Sequence, residues 1–151
     1  MRGSTVIASV FGIGYFPFAS GTVASLAAMP VAALILLHGS GIALAAASLI
    51  AFAIGVWACG DHVRATGRED PSECVIDEVA GQWLACAFAP VSLPGLALAF
   101  FLFRLFDIWK PWPVGWADRE LPGGLGVMAD DMIAGLMAGV LVGLTRYFGL
   151  L

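Results

Sequence analysis

Five carboxylates are the residues of this sequence best suited to chemistry: Asp77, Glu78, Asp107, Asp130 and Asp131. Carboxylate oxygens are hard ligands, and Mg²⁺ binds one or two of them together with water and phosphate oxygens. Zn²⁺ would call for histidine or thiolate ligands, and the chain contains only two histidines. If the fold brings these five residues together, we expect them to be catalytic groups and ligands of Mg²⁺.

Two cations accompany the central carboxylate of this set. Arg104, Asp107 and Lys110 follow one another at intervals of three residues, so they lie along one side of a helix. Arginine can bind phosphate through two parallel N–H bonds, and lysine adds a compact positive charge. We therefore predict that Arg104 and Lys110 are catalytic residues that bind a phosphate ester against the metal.

A glycine-rich stretch, residues 123–126, precedes the pair Asp130 and Asp131. The backbone N–H groups of such a turn, placed at the start of a helix, can bind an anion. We therefore predict that Gly123 and Gly124 contact the substrate.

The elements that must position these residues are apolar. Of the 151 residues, 60% are hydrophobic and 12% are charged, against about 25% charged residues in soluble domains. Apart from Arg2 and Arg146, all charged residues lie in two windows, 61–78 and 104–131. The pattern predicts a single all-α integral membrane domain over residues 1–151. The net charge of −4 argues against nucleic acid as a partner and fits membrane lipids better.

The apolar stretches predict about five membrane helices. The first covers about 20–37, the second 42–59 and the last 132–148, each close to the roughly 20 residues that cross the hydrocarbon core. Residues 3–21 are apolar but rich in glycine and aromatics, which predicts an interfacial or re-entrant segment. Glycine at every fourth position of the last helix forms a strip for close packing within or between chains, so a homo-oligomer stays open.

The third apolar stretch, residues 79–103, allows two interpretations. Pro90 and Pro94 interrupt its middle, and a proline disfavours helix at the residue before it. One long span would place the two charged windows on opposite sides of the membrane. A hairpin that turns at Pro90–Pro94, with helices over about 73–89 and 93–109, would place both windows on one side. Each of its helices would rise about 25 Å, enough for a thin span, so we predict the hairpin.

Basic residues favour the same interpretation. The hairpin places six of the seven lysines and arginines on one side of the membrane and leaves only Arg146 on the other. Basic residues concentrate on the cytoplasmic side of membrane proteins. We therefore expect a multi-pass protein whose site faces the cytoplasm.

Each charged group also has a purely structural interpretation. Arg104 with Asp107 would be an interfacial ion pair, Asp130 or Asp131 a helix cap, and the 77–78 pair part of a solvated loop. Ionisable residues at membrane depth are costly and are usually functional. The convergence of five carboxylates therefore favours a site.

Three segments of the chain resemble a known family, the phosphatidylglycerophosphatase A family of bacterial membrane enzymes. They are residues 75–81 (VIDEVAG), 103–113 (FRLFDIWKPWP) and 123–131 (GGLGVMADD), followed by Ala134-Gly135. Order, spacing and identity all match. The family element Pro-Gly-Thr-x-Gly-Ser corresponds to residues 20–25, where Gly21, Thr22 and Ser25 are retained and two positions differ.

The resemblance implies a fold, a reaction and a location. It implies Mg²⁺-dependent hydrolysis of phosphatidylglycerophosphate to phosphatidylglycerol and inorganic phosphate, in anionic phospholipid synthesis at the bacterial inner membrane. It also makes Thr22 a candidate substrate contact. On this basis we expect the five carboxylates to hold one or two Mg²⁺ ions while water attacks the phosphate. Direct attack by Asp130 or Asp131, through a phospho-enzyme, stays open.

Two other functions compete with this one. A CDP-alcohol phosphotransferase is also a small helical membrane enzyme with carboxylate-bound metal, but its Asp-Gly-x2-Ala-Arg signature is absent. A non-enzymatic cation transporter would use the same carboxylates for ion passage. Release of phosphate from the lipid by the purified protein distinguishes the enzyme from the transporter.

Overall fold

A computed structural model describes residues 2–151, and this part of the chain contains helices and no strand. The seven α-helices and one 3₁₀ turn are α1 (Gly3–Ala8), the 3₁₀ turn (Ile13–Tyr15), α2 (Ser20–His38), α3 (Gly41–Thr66), α4 (Ile76–Cys86), α5 (Leu93–Trp109), α6 (Val114–Glu120) and α7 (Gly123–Tyr147). The predicted all-α class is confirmed. The predicted segment 3–21 contains the short helix α1 and the 3₁₀ turn before α2 begins.

Three helices are long and apolar enough to cross a membrane: α2, α3 and α7. Such helices need about 20 predominantly apolar residues. The helix α4 has 11 residues and α5 has 17, so both are shorter than that length. The structure therefore supports a membrane protein with three candidate spans, and five membrane helices stay a prediction.

Prolines, hydroxyls and glycines fix the helix bounds that the sequence predicted well. The Ser40 hydroxyl accepts a hydrogen bond from the Ala43 N–H at 3.1 Å at the start of α3, and Ser92 accepts one from Gly95 at 3.2 Å at the start of α5. These are N-caps, which satisfy backbone donors at a helix start. The bounds of α5 agree with the prediction because cap and proline coincide there.

The helix α3 is longer than the sequence prediction, which ended it at Cys59. It continues to Thr66, and Gly67 ends it with φ of +70°, a left-handed conformation that suits glycine. Asp61 and His62 therefore lie on a helix and not in a loop. The charged window begins inside the bundle, where side chains of α1 pair with it.

The helix α7 begins at Gly123, nine residues before the predicted start at Met132. Glycine is a poor helix former, which is why residues 123–126 read as a turn. Packing overrides this preference, because a Cβ at Gly124 would lie 2.6 Å from the backbone nitrogen of Gly60 on α3. Asp131 consequently lies eight residues, about 12 Å, inside α7 and not at its start.

The short helix α4 lies in the middle of the bundle and packs on α2, α3 and α7. Its closest approach is to α7, where a Cβ at Gly135 would overlap the carbonyl group of Gly81. Further along the predicted glycine strip, Gly139 and Gly143 face the ring of Phe88. The strip therefore packs within the chain.

Candidate active site

The crossing of α4 and α7 places the first two carboxylates side by side. Asp77 lies one turn before Gly81 on α4, and Asp131 lies one turn before Gly135 on α7. The two glycines touch, and a Cβ at Gly81 would lie 2.6 Å from the Asp131 carbonyl oxygen. Because both helices run in the same direction here, the close approach of the glycines brings the two aspartates together.

The structure gathers all five predicted carboxylates into two overlapping groups. In each group one oxygen from every member lies within 4.8 Å of the others, and both groups include Asp131. The groups are Asp77, Asp130 and Asp131, and Glu78, Asp107 and Asp131. We call the five residues together the carboxylate cluster. Oxygen donors at this separation can surround a divalent cation.

The two predicted cations lie against the carboxylate cluster. Nη1 of Arg104 donates to Oε2 of Glu78 at 2.6 Å and to a carboxylate oxygen of Asp107. Nζ of Lys110 donates to Oδ2 of Asp130 at 2.8 Å and lies 3.8 Å from Oδ1 of Asp107. Two cations therefore face five carboxylates, and negative charge is in excess.

Two polar atoms of the site have no protein partner among the described residues. Oδ2 of Asp131 and Nε of Arg104 make no hydrogen bond, and both atoms are buried. Asp131 as a whole is only 2% exposed, so bulk water does not replace the missing partner. Leaving a buried polar atom unpaired costs about 1–3 kcal/mol, and more for a charged group. Such groups are satisfied when a ligand supplies the missing charge.

Lys110 reaches the carboxylate cluster because of an unusual backbone. It follows the end of α5 with φ and ψ both at 55°, a left-handed conformation that is uncommon for a residue with a Cβ. Partial burial alone would lower the pKa of Lys110, but the hydrogen bond from its ammonium to Asp130 and the neighbouring carboxylates raise it above the ordinary value. Lys110 is therefore a permanent positive charge at neutral pH.

A cavity of about 410 Å³ opens onto the carboxylate cluster. Its walls come from the segment between the 3₁₀ turn and α2, from residues 70–75 and from the helix ends that carry the charges. Gly21 is part of this wall, and a Cβ there would lie 2.5 Å from Oε1 of Glu78. The start of α2 thus lies directly on the site, and a larger residue at this position would displace the Glu78 carboxylate.

Three predicted substrate contacts do not line this cavity. The lining includes Ser20 and Gly21 but not Thr22, and it includes neither Gly123 nor Gly124. The two later glycines lie in the first turn of α7, where Gly124 packs on α3. Gly123 instead lines a different cavity, so the part of these two glycines in substrate binding stays a prediction.

A second group of charged and polar side chains, three of them buried, was missed by the sequence analysis. His62 on α3 lies between Thr5 and Glu73: its Nε2 is 2.9 Å from Oε1 of Glu73, and its Nδ1 is 3.1 Å from the Thr5 hydroxyl. Arg68 also pairs with Glu73. Since a carboxylate only accepts, Nε2 donates to Glu73, and in the neutral ring Nδ1 then accepts from the Thr5 hydroxyl. We call these four residues the His62 network.

No local pattern in the sequence predicts this network, since Thr5 and His62 are 57 residues apart. Its effect on the site is indirect. Glu73 begins the segment that leads to Asp77, and a Cβ at Gly14 would overlap the Glu73 carbonyl. The network therefore fastens α1, α3 and one wall of the cavity to each other.

Comparison with known proteins gives a consistent result. The family model described as phosphatidylglycerophosphatase A matches residues 6–146. The chain is 36% identical over 138 residues to phosphatidylglycerophosphatase A of Escherichia coli K12, covering 90% of this chain and 80% of that protein. The protein of the same name from Haemophilus influenzae is 35% identical over 145 residues, covering 95% and 88%.

A relative with another name is equally similar. A putative phosphatidylinositol-3-phosphatase of Bacteroides thetaiotaomicron is 36% identical over 150 residues, covering 94% of this chain and 92% of that protein. No solved structure matches the chain significantly. The family match spans all five carboxylates and both cations of the site. The chain therefore belongs to the phosphatidylglycerophosphatase A family and is a phosphatase, a phosphoric monoester hydrolase.

Proposed function

We propose that this protein hydrolyses phosphatidylglycerophosphate to phosphatidylglycerol and inorganic phosphate. The observation that carries the proposal is the carboxylate cluster, which lies beside Arg104 and Lys110 at the bottom of a cavity with too few cations to balance it. A phosphate monoester and a divalent cation together supply what such a site lacks. The family model and two relatives named for this activity support the choice of substrate.

The donor set of the carboxylate cluster fits Mg²⁺. All its donors are carboxylate oxygens, and Asp131 belongs to both groups, so one or two ions would be held with Asp131 next to each. The orphaned Oδ2 of Asp131 is a ready donor. When bound, Mg²⁺ neutralises charge on phosphate oxygens and acts as a Lewis acid.

The two cations of the chain have separate tasks in this proposal. Arg104 is held between Glu78 and Asp107, so its guanidinium has a fixed direction, and its free N–H groups are available to two phosphate oxygens. Lys110 adds a positive charge on the side of Asp130. Both would stabilise the negative charge that spreads over the phosphoryl oxygens in the transition state.

Hydrolysis breaks the bond between phosphorus and the glycerol oxygen, which leaves as the lipid hydroxyl after taking up a proton. The new bond to phosphorus comes either from water or, in the phospho-enzyme alternative, first from Asp130 or Asp131. The stereochemistry at phosphorus separates the routes. Direct attack by water is one displacement and inverts the configuration of an isotopically chiral phosphate ester in transfer to an acceptor alcohol or water, whereas two displacements through a phospho-aspartate retain it.

The proposed membrane arrangement keeps five helices and the α4–α5 hairpin. The contact of Glu78 with Arg104 joins the first turn of α4 to the last turns of α5. At the opposite end of the bundle, a Cβ at Gly41, next to the α2–α3 loop, would overlap the Ala87 carbonyl that follows α4. A turn over residues 87–92 at that end agrees with a hairpin whose two open ends are at the site.

The proposed location is the bacterial inner membrane with the site facing the cytoplasm, in anionic phospholipid synthesis. The distribution of basic residues supports this side, because Arg146 lies beside Ser40 and Ala87 at the end opposite the site. Phe11 is 84% exposed and Phe18 is 76% exposed. Aromatic side chains on the segment beside the cavity agree with its proposed interfacial position.

The direct test is phosphate release by the purified protein from phosphatidylglycerophosphate in mixed micelles. We expect release with Mg²⁺, none with EDTA, and loss of activity in Asp107→Ala, while Glu69→Ala, an exposed carboxylate outside the cavity, stays active. A parallel assay with phosphatidylinositol 3-phosphate tests the substrate suggested by the Bacteroides relative. No release from phosphatidylglycerophosphate would overturn the proposed substrate, and full activity of Asp107→Ala would show that the carboxylate cluster is not the site of hydrolysis.

A further inference from the structure

An apolar groove lies on the surface between α2 and α5, the two helices whose other ends reach the active site. It has a volume of about 480 Å³, and its nine lining residues are all apolar: Leu26, Met29, Pro30, Ala33, Leu93, Leu96, Ala97, Phe100 and Phe101. The groove exists because α2 packs mainly on α4, and α5 packs mainly on α7, leaving a gap where α2 and α5 face each other.

The helices that line the groove continue from it to the carboxylate cluster. On α5, Arg104 lies one turn beyond Phe100 and two turns beyond Ala97, so it continues the face that lines the groove. On α2, Gly21 lies next to Arg104, since a Cβ there would be 3.5 Å from Nη1. A molecule in the groove would therefore extend directly to the guanidinium that we assign to the phosphate.

Thr22 lies between the groove and the carboxylate cluster. It precedes Leu26 by one turn and Met29 by two, and it is half-buried, so it continues the groove-lining face of α2. A hydroxyl between an apolar groove and a charged cavity is suited to the ester and glycerol region of a lipid. This position accounts for the absence of Thr22 from the phosphate cavity.

The groove and the stretch of helix between it and the site together fit one leaflet of a membrane. From Thr22 to Ala33 the helix α2 rises about 16 Å, and α5 rises the same distance from Leu93 to Arg104. One leaflet contributes about 15 Å to a hydrocarbon core of about 30 Å. An acyl chain of a lipid whose headgroup lies at the site would therefore reach along the whole groove.

We propose that the groove between α2 and α5 binds one acyl chain of the lipid phosphate while its phosphate monoester lies in the carboxylate cluster. The inference rests on the proposed function for the identity of the headgroup. A rival apolar groove, lined by Ile50, Ile54 and Trp83, lies on the side of α4 opposite Asp77 and Glu78. It does not lead to the phosphate cavity, so the α2–α5 groove is the acyl site.

The test uses a phosphatidylglycerophosphate probe with a diazirine in the middle of one acyl chain. After illumination of the wild-type protein in vesicles, mass spectrometry should find the label in residues 26–33 and 93–101. The same diazirine chain on phosphatidylethanolamine should label these peptides less, because that headgroup has no phosphate monoester. Ala97→Phe, which fills the groove, should reduce labelling at least about tenfold, whereas Ala27→Phe, on an exposed face of α2, should not.

A comparison of KM for long-chain and short-chain substrates complements the labelling. Ala97→Phe should raise KM for a dipalmitoyl substrate and leave the dihexanoyl substrate nearly unaffected, because a short chain does not reach Ala97. Label concentrated near Ile50 and Ile54, or equal losses in Ala97→Phe and Ala27→Phe, would overturn the acyl site. Labelled groove peptides without any phosphate release would instead contradict the proposed function but still support the acyl site.

Discussion

Two groups of charged and polar side chains in this protein differ in how they are balanced. In the His62 network each member has a partner. Glu73 pairs with both His62 and Arg68, and the Thr5 hydroxyl is hydrogen-bonded to the other ring nitrogen of His62. In the carboxylate cluster two cations face five carboxylates, and one oxygen of Asp131 has no partner. The balanced group fastens the chain to itself. The unbalanced group is built for a ligand that is not part of the chain.

Replacing a cluster carboxylate should have the largest effect on activity. Asp131→Asn removes a charge from both carboxylate groups, and we expect kcat to fall by about 10³-fold, the scale seen when a preorganised charge-stabilising group is lost. Folding should be retained or improved, because the substitution relieves repulsion among buried carboxylates. Phosphate release and the thermal unfolding midpoint in detergent measure the two effects.

The matched control for this substitution is Asp61→Asn. Asp61 also lies on a long helix, but it accepts a hydrogen bond from Ser4 and lies 3.6 Å from Arg2. We expect its kcat to stay close to that of the wild type. A comparable loss in both variants would show that activity depends on charge in general and not on the carboxylate cluster.

Arg104→Lys should have the next largest effect. Lysine keeps the charge, but it cannot contact Glu78, Asp107 and two phosphate oxygens in a fixed fork. We expect kcat/KM to fall by about 10²-fold, equivalent to roughly 2.7 kcal/mol of transition-state stabilisation. Steady-state kinetics with long-chain phosphatidylglycerophosphate checks this, and a variant with wild-type kcat/KM would show that positive charge alone suffices.

Asp131→Asn and Arg104→Lys should lower activity more than stability. His62→Ala should do the opposite and lower stability more than activity. It leaves Glu73 and Thr5 without their buried partner, and a lost hydrogen bond to a charged group costs about 2 kcal/mol. We expect a lower unfolding midpoint in detergent, with kcat close to wild type well below that midpoint. A large fall in kcat with an unchanged midpoint would assign the network to the chemistry.

The smallest expected effect is a loss of folding stability at low pH that depends on Glu73. Burial alone would raise its pKa, but hydrogen bonds from His62, from its own backbone N–H and from Arg68 lower the pKa below the ordinary value of 4.5. Its ionised form therefore stabilises the fold above that pH, and the contribution is lost as the pH falls through the lowered pKa. The stability difference between wild type and Glu73→Gln should shrink below pH 4.5; a constant difference from neutral pH downwards would contradict this.

The same contrast explains what could be predicted from the sequence. The carboxylate cluster was predictable because its members are rare charges at the edges of apolar stretches, and because their motifs are contiguous. The bounds of α5 were predictable because Ser92 and Pro94 start it and Pro111 follows its end. These signals are local in sequence.

The rest depends on contacts between distant segments. The start of α7 was predicted too late because Gly124 is helical only through its packing on Gly60. The His62 network depends on a partner 57 residues away. The close approach of Gly81 and Gly135, which aligns Asp77 with Asp131, was hidden for the same reason, although the glycine strip of α7 pointed to a close neighbour.

The most direct test of the central claim is an anomalous difference map from crystals grown with Mn²⁺, which replaces Mg²⁺ and scatters anomalously. The account predicts one or two peaks within the carboxylate cluster, next to Asp131, and none in Asp131→Asn. A peak outside the cluster, or no peak at a Mn²⁺ concentration that supports hydrolysis, would contradict it.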